Sequence, residues 1–519
     1  MFDLDPEIDA LMRDPATHGL SSGERVDVIE THGAKVFLAG ERVYKIKKPV
    51  DFPYMDFSSA DKREAACERE LELNQAAAPS LYLGLSRITR EPAGALALDG
   101  GGERIETAVR MRRFDQDQLL SEMAEAGQVG PELAEPLARM ALASHAAAPN
   151  RARVDFADHA LAVLDGGEEA FADAAEVFER EPAMAAVEAL RDGLNAIRPV
   201  LQTRAGRGCV RRCHGDLHLG NIVMLDGEPA PFDALEFDEA LAEIDIAYDL
   251  AFLMMDLAWR DLRETANGVM NAYLDGAAPA ACDLLAVLAP LAALRAQVRA
   301  KVAADRASEL ASGDAFDAEA ERARALIGFS QQLLAAPGAR LITLGGLSGT
   351  GKSTLARRLA PGLGGAFGAL VIRSDVERKA LLGKAATERL PESAYGQDMN
   401  AAVHERLLDK ARAALSAGAV VIIDAVNARE PERADFKALA RETGAAFDGI
   451  WLEAGPEALE ARVEARVGDA SDATAEVVQR QLRYDVGDLS GFERIRADGP
   501  AQATLQAARN ALIGAEEGT

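Results

Sequence analysis

From residue 25 to 48 the chain alternates apolar and polar side chains in two runs, VDVIE and KVFLAGERVYKIKK, with Gly40 punctuating the second. A period of two predicts antiparallel strands joined by tight turns. Residues 60–78 read ADKREAACERELELNQAAA, rich in helix formers and halted by Pro79, so a helix follows the strands. Further strands are expected at 84–89 and 106–111. Helices are expected from there to residue 150, over 156–200, and over 239–261, where IDIAYDLAFLMMDLAW is apolar enough to be buried. Between the last two lies a polar insert, CHGDLHLGN followed by IVMLDGEPAPFDALEFD, which reads as a hairpin among helices. Helices resume over 276–335 and Pro337-Gly338 ends them.

Beyond that point the apolar runs LITLGG, ALVIRSD, VVIIDA and FDGIWLEA alternate with amphipathic segments at 352–360, 401–417 and 431–443, with more helix afterwards. Buried strands alternating with helices predict a parallel sheet covered on both faces. The expected organisation is therefore 1–115, mostly strands; 116–337, helical; and 338–519, α/β. A cut at residue 338 is expected to leave two parts that fold independently.

Composition narrows the classes. The 519 residues exclude a single small module, and 49% hydrophobic with 27% charged residues describes a globular chain. Lys plus Arg number 57 against 84 Asp plus Glu, a net charge of −27, which argues against an extended nucleic-acid surface. Anionic small ligands remain compatible, because local amides and a few cations override the averaged field. Four cysteines without metal-site spacing suit a reducing, cytoplasmic setting. Cys209 and Cys213 form a redox pair or half a metal site in one reading, and two small side chains near a strand in the other. The N-terminus lacks the apolar core of a secretory signal. The longest apolar run, 284–294, contains Pro290 and falls short of the ~18 residues of a spanning helix, so no membrane anchor is expected.

Two motifs carry chemistry. Gly346-Leu347-Ser348-Gly349-Thr350-Gly351-Lys352-Ser353 matches GxxxxGK[ST] between a strand and a helix that continues through Thr354. Glycines there let successive amides face a phosphate, and the helix N-terminus adds partial positive charge. Lys352 is expected on the β and γ phosphates and Ser353 on Mg²⁺. Asp424, ending VVIIDA, is either a second Mg²⁺ ligand or a turn residue. Asp375, ending ALVIRSD, is either the base that accepts an acceptor hydroxyl's proton or a helix cap. Arg462 and Arg466 stand one helical turn apart, as a phosphate-covering pair or as solvated partners of Glu460 and Glu464.

Residues 341–496, through that loop, RSDVERK, VIIDAVN and the RxxxR segment followed by SDA, resemble the small P-loop kinases of the gluconate kinase, polynucleotide kinase, zeta toxin and chloramphenicol phosphotransferase group. The resemblance implies that Asp375 acts as base or substrate ligand and leaves the acceptor open.

The second motif is His214-Gly215-Asp216-Leu217-His218-Leu219-Gly220-Asn221, an HxDxxxxN, with Asp233 downstream in PFDALEFD. In a phosphoryl-transfer reading Asp216 takes the acceptor proton while Asn221 and Asp233 hold metal ions. In another, two His and two Asp bind Zn²⁺ for hydrolysis. The pattern resembles the aminoglycoside phosphotransferase and choline kinase branch of the protein-kinase-like fold. That resemblance, spanning 26–335, implies Lys45 in VYKIKKP on the phosphates, with Lys47 as a rival, and Glu70 in CERELELN holding that lysine. It also implies an adenine-gripping hinge at 108–114. The glycine loop of that fold is missing, since THGAKVFLAG carries only Gly33 and Gly40.

The fold class expected is thus an α+β protein-kinase-like, two-lobed domain followed by an α/β P-loop domain with a parallel sheet. The expected function is a bifunctional phosphotransferase using ATP or GTP with Mg²⁺ on small hydroxyl-bearing substrates. A nucleotide-dependent regulator with a pseudokinase module and a polynucleotide-end kinase are the alternatives.

Overall fold

The structure is a computed structural model that describes residues 3–21, 23–31, 33–52, 55–151, 155–310, 312–335, 338–465 and 470–514. Pro337 and Arg466, each named above, lie outside the described residues. Contacts divide the chain into two compact units. One comprises Met1–Val129, Met140–Phe156 and Arg204–Leu253, and the other Gly130–Arg139, Ala157–Thr203 and Met254–Thr519. These lines differ from 115/116 and 337/338, because helices between residues 254 and 334 pack in one unit with the α/β segment.

The first unit is built on a six-stranded antiparallel sheet. Its strands are β1 (Val26–Glu30), β2 (Ala34–Ala39), β3 (Arg42–Lys47), β4 (Tyr82–Arg90), β5 (Leu96–Leu98) and β6 (Glu103–Arg112), in the order β1-β2-β3-β6-β4-β5. Helix α1 (Ala60–Gln75), capped by the Ser59 hydroxyl on the Lys62 amide, packs against β4 and β6. Leu38, Val43, Cys67, Leu81, Val109 and Val223 form a buried cluster that ties sheet, helix and the hairpin β7 (Ile222–Leu225)–β8 (Glu228–Pro231) together. This order of elements agrees with the protein-kinase-like fold expected of the N-terminal part.

One segment departs from its pattern. Residues 239–261, read as one helix, form a short helix Glu239–Ala242, a strand Glu243–Asp245 paired antiparallel with Val210–Arg212, and a helix Ile246–Trp259. The break falls at Asp245, fully buried, whose carboxylate takes Arg204 at 2.7 Å and caps the Ala247 amide at 2.8 Å. A local cap outweighs apolar periodicity there.

The second unit contains a five-stranded, wholly parallel sheet: β9 (Arg340–Gly345), β10 (Leu370–Arg373), β11 (Val420–Asp424), β12 (Ala446–Glu453) and β13 (Phe492–Arg496), ordered β10-β11-β9-β12-β13. This is the α/β P-loop fold. Strand β13 replaces part of the stretch read as helix. Its sequence FERIR buries only Phe492 and Ile495, and such a charged edge strand lacks the apolar run that marks its neighbours. The helix Pro279–Leu310 is long and apolar enough to cross a membrane by length and composition, although its apolar run looked too short; 61% of its most apolar window is buried inside the protein.

Candidate functional site

In the first unit β3 points Lys45 and Lys47 to one face, and α1 brings Glu70, fully buried, against both. Lys45 Nζ lies 3.0 Å from Glu70 Oε1 and 2.5 Å from Asp233 Oδ1. Lys47 Nζ lies 2.5 Å from Glu70 Oε2 and also pairs with Glu236. Lys47 is only 2% exposed and its partners are both buried, so Lys45 is the lysine that reaches Asp233, a half-exposed carboxylate. Burial opposes the Lys45 charge, yet Asp233, Glu70 and Glu236 raise its pKa well above the ordinary value. Partial desolvation opposes the Asp233 charge, and the Lys45 ammonium, with Lys47 behind it, outweighs it and holds the carboxyl below the usual range.

Asp233 sits at φ +61°, with its amide donating to Tyr82 Oη at 3.1 Å, and the Ala234 amide donates to Asn74 Oδ1 at 2.9 Å. Asn74 in turn donates to the Glu70 carbonyl, so one helix fixes both the glutamate and the aspartate turn. Asp216 and Asn221 meet directly: Asn221 Nδ2 donates to Asp216 Oδ2 at 2.8 Å and to its carbonyl at 3.0 Å. His214 is buried and its pKa is lowered by that burial. Its Nε2 donates to the Phe232 carbonyl at 2.9 Å while Nδ1 accepts from the Asp216 amide at 3.3 Å. Both ring nitrogens serve the backbone, so His214 has none left for Zn²⁺, and the hydrolase reading loses a ligand. Cys209 and Cys213 are free thiols. At the expected hinge, the Phe114 and Phe232 rings meet edge-on at 5.5 Å.

In the second unit the phosphate loop joins β9 to α3 (Lys352–Leu359). Gly349 has φ +87°, and a Cβ there would stand 2.6 Å from the Leu459 carbonyl, so only glycine fits. Lys352 Nζ donates to the Gly346 and Leu347 carbonyls at 2.7 and 3.0 Å, and Thr350 Oγ1 donates to the Leu347 carbonyl at 2.8 Å. The loop opens into a cleft of ≈ 1490 Å³ lined by Ser348, Gly349, Gly351, Lys352, Ser353 and Thr354 on one side. Asp375, Arg378 and Asp424 share the same cleft. Asp424 is 5% exposed and 3.5 Å from Arg373 Nε. Asp375 opens helix α4 (Ser374–Leu381) at the carboxyl end of β10. Burial, reinforced by the charge of Asp424, raises its pKa despite a hydrogen bond from Ser471.

Arg462, on α7 (Pro456–Glu464), donates to the carbonyls of Ala497 at 2.7 Å and Gly349 at 3.4 Å. It braces the loop from behind as well as lining the cleft, and it pairs with neither Glu460 nor Glu464. Four residues without a sequence role enter the site. Arg378, 8% exposed, lies 4.8 Å from the Tyr395 ring centre, and its Nη1 donates to the Ala394 carbonyl. Asp472 accepts from Tyr395 Oη and the Leu390 amide at 2.9 and 3.0 Å. Gln481, ending α8 (Ala475–Gln481), accepts from the Ser348 amide of the phosphate loop at 2.7 Å. Only RSDVERK around Arg378 and the letters SDA around Asp472 stand out in the sequence, and neither gives its residue a role.

A family described as AAA domain matches residues 341–485. Over nearly its whole length the chain is similar to Uncharacterized protein Rv2004c of Mycobacterium tuberculosis (strain ATCC 25618 / H37Rv), with 33% identity over 503 residues covering 94% of this chain and 95% of that one. Among solved structures, a choline/ethanolamine kinase family protein from Mesorhizobium loti covers 63% of this chain and 99% of its own at 14% identity and TM-score 0.37. A gluconokinase from Sinorhizobium meliloti 1021 covers 35% and 98% at 19% identity and TM-score 0.24.

Proposed function

The chain belongs to the family of that full-length mycobacterial relative, and from this premise we propose that it is a bifunctional, cytoplasmic phosphotransferase moving the γ-phosphoryl group of ATP or GTP to hydroxyls of small molecules at two separate sites. The observation that carries the reading is the sharing of one cleft by Lys352, Ser353, Asp424 and Asp375. Phosphate-binding groups and a carboxylate of raised pKa thus face one volume large enough for a nucleotide and a second substrate.

Mg²⁺ fits the donors present in both places, since each offers hard oxygen ligands: Ser353 and Asp424 in the second unit, Asn221 and Asp233 in the first. When bound it neutralises charge on the phosphates. The chain's own groups do the rest. The amides from Ser348 to Thr354 and the Lys352 ammonium bind phosphate oxygens, Asp375 accepts the acceptor hydroxyl's proton, and Arg378 orients the acceptor beside it. In the first unit Lys45, steadied by Glu70, faces the phosphates, and Asp216, oriented by Asn221, is the base.

A second reading treats the first unit as a nucleotide-dependent regulator, favoured by the missing glycine loop and the direct Lys45–Asp233 pair. Phosphotransfer from Mg-ATP and Mg-GTP to a panel of sugars, sugar acids, amino alcohols and nucleosides, measured on the full chain, tests both. Lys352→Ala and Asp216→Asn should each remove a different subset of products. Retention of every activity in Asp216→Asn leaves the first unit a regulator, and retention in both variants overturns the proposal.

A further inference from the structure

Strand β10 is the edge strand of the parallel sheet, and it delivers Asp375 to the cleft. An edge leaves backbone groups without a neighbouring strand. Here helix α2 (Arg263–Leu274), far upstream in sequence, supplies their partners. Asn271 Oδ1 accepts from the Val371 amide at 2.7 Å, and its Nδ2 donates to the Ala369 carbonyl at 3.1 Å. Asn267, 4% exposed, donates to the carbonyls of Phe367 at 2.8 Å and Ala369 at 3.0 Å. Gly368 makes room, since a Cβ there would stand 2.6 Å from Asn267 Nδ2.

The helix that follows is held from the same place. Glu377 of α4, 1% exposed, takes Lys410 Nζ at 2.5 Å and Arg406 Nε at 3.0 Å, both from α5 (Gln397–Ser416). Those two cations also donate to the Leu274 carbonyl at 2.8 Å and the Ala277 carbonyl at 2.6 Å, at the C-terminal end of α2. Cations on orphan carbonyls at a helix end are favourable, and here they are shared with a buried carboxylate. The element bearing Asp375 is therefore gripped on its strand directly by α2, and on its helix by two cations of α5 that are themselves anchored on carbonyls at and just beyond the end of α2.

We propose that α2 is a working part of the P-loop kinase site, with Asn267 and Asn271 as positioning residues that set Asp375 against the acceptor. This rests on the reading of Asp375 as the base. The phosphate loop follows β9, two strands in from that edge, so nucleotide binding should be indifferent to α2 while proton transfer should not.

The test is Asn271→Leu in the full chain, nearly isosteric and unable to hydrogen-bond. Exchange of the Val371 amide should accelerate about tenfold for the lost acceptor, with amides of β9 unchanged. Affinity for Mg-AMPPNP should stay within about twofold. Phosphoryl transfer from Mg-ATP, to water or to any acceptor found, should fall in kcat by on the order of ten- to a hundredfold at constant KM for ATP. Unchanged Val371 exchange, or an unchanged kcat, overturns the proposal, as does a parallel loss of nucleotide affinity and β9 protection, which marks simple unfolding. A wild-type chain that neither binds nor turns over nucleotide sinks the phosphotransferase reading instead, and the exchange result still decides whether α2 holds the strand.

Discussion

The kinase-like site holds its charges by one another across long stretches of chain, whereas the P-loop site holds its own with neighbouring backbone. Lys45 and Asp233 are 188 residues apart, but Lys352 reaches a carbonyl only six residues away. In the first site three carboxylates, Glu70, Asp233 and Glu236, surround two ammoniums, so each charge is kept by the fold as a whole. In the second, carbonyls of one loop hold the Lys352 ammonium, and the distant Arg462 and Gln481 touch that loop only at its backbone. A nonlocal site is stabilised by its charge pairs and is damaged in stability when one is removed. A local site should instead lose chemistry while the fold stands.

The largest effect expected from that contrast is on stability at Glu70. Glu70→Ala leaves Lys45 with Asp233 and Lys47 with Glu236 as their remaining carboxylates, and a loss approaching the roughly 3–5 kcal/mol of breaking a buried pair is expected. Urea unfolding of the full chain should show it in the transition of the first unit, and an unchanged midpoint would break the comparison. Lys352→Ala should leave unfolding almost untouched. Phosphoryl transfer at its own site should drop by roughly 10²–10³, the loss typical of one preorganised donor on developing charge. Single-turnover kinetics with Mg-ATP measure this directly.

A third expectation concerns pH. Asp375 has a raised pKa from burial and from Asp424, so its basic form is lost as pH falls through a value above that of ordinary aspartate. Activity at the P-loop site should decline on the acid side earlier than an exposed carboxylate would dictate, and Asp375→Asn should abolish that limb along with most turnover. The smallest effect is at Gln481. Its Oε1 occupies the Ser348 amide in the present conformation, so Gln481→Ala should tighten Mg-AMPPNP binding by a factor of a few, about one hydrogen bond's net worth. Calorimetry that finds weaker binding would make Gln481 a nucleotide ligand rather than a competitor.

The same contrast explains what was legible beforehand. The phosphate loop was readable because its geometry lies within eight consecutive residues, and the structure keeps Lys352, Ser353 and Thr354 on one cleft wall. The HxDxxxxN motif gave the Asp216–Asn221 pair for the same reason, since the two are joined through Asn221 Nδ2. Periodicity also located β3, β6 and the parallel strands, because strands that bury apolar faces advertise them. It missed β13, whose charges face solvent, and it missed the break at Asp245, where a buried Arg204 partner decides the backbone.

What the sequence by itself determined is every element whose information is contiguous: the alternating strands, the glycine-bearing loop before α3, and the short acid–amide motif. Which of Lys45 and Lys47 faces Asp233 was decided only by tertiary structure, since both lie on one face of β3 and differ only in the carboxylates packed around them. So were the occupation of the Ser348 amide by Gln481 and the clasp of Asn267 and Asn271 on β10. An asparagine's hydrogen bond to a distant backbone leaves no periodic trace in the chain, because it depends on a distance that exists only after folding.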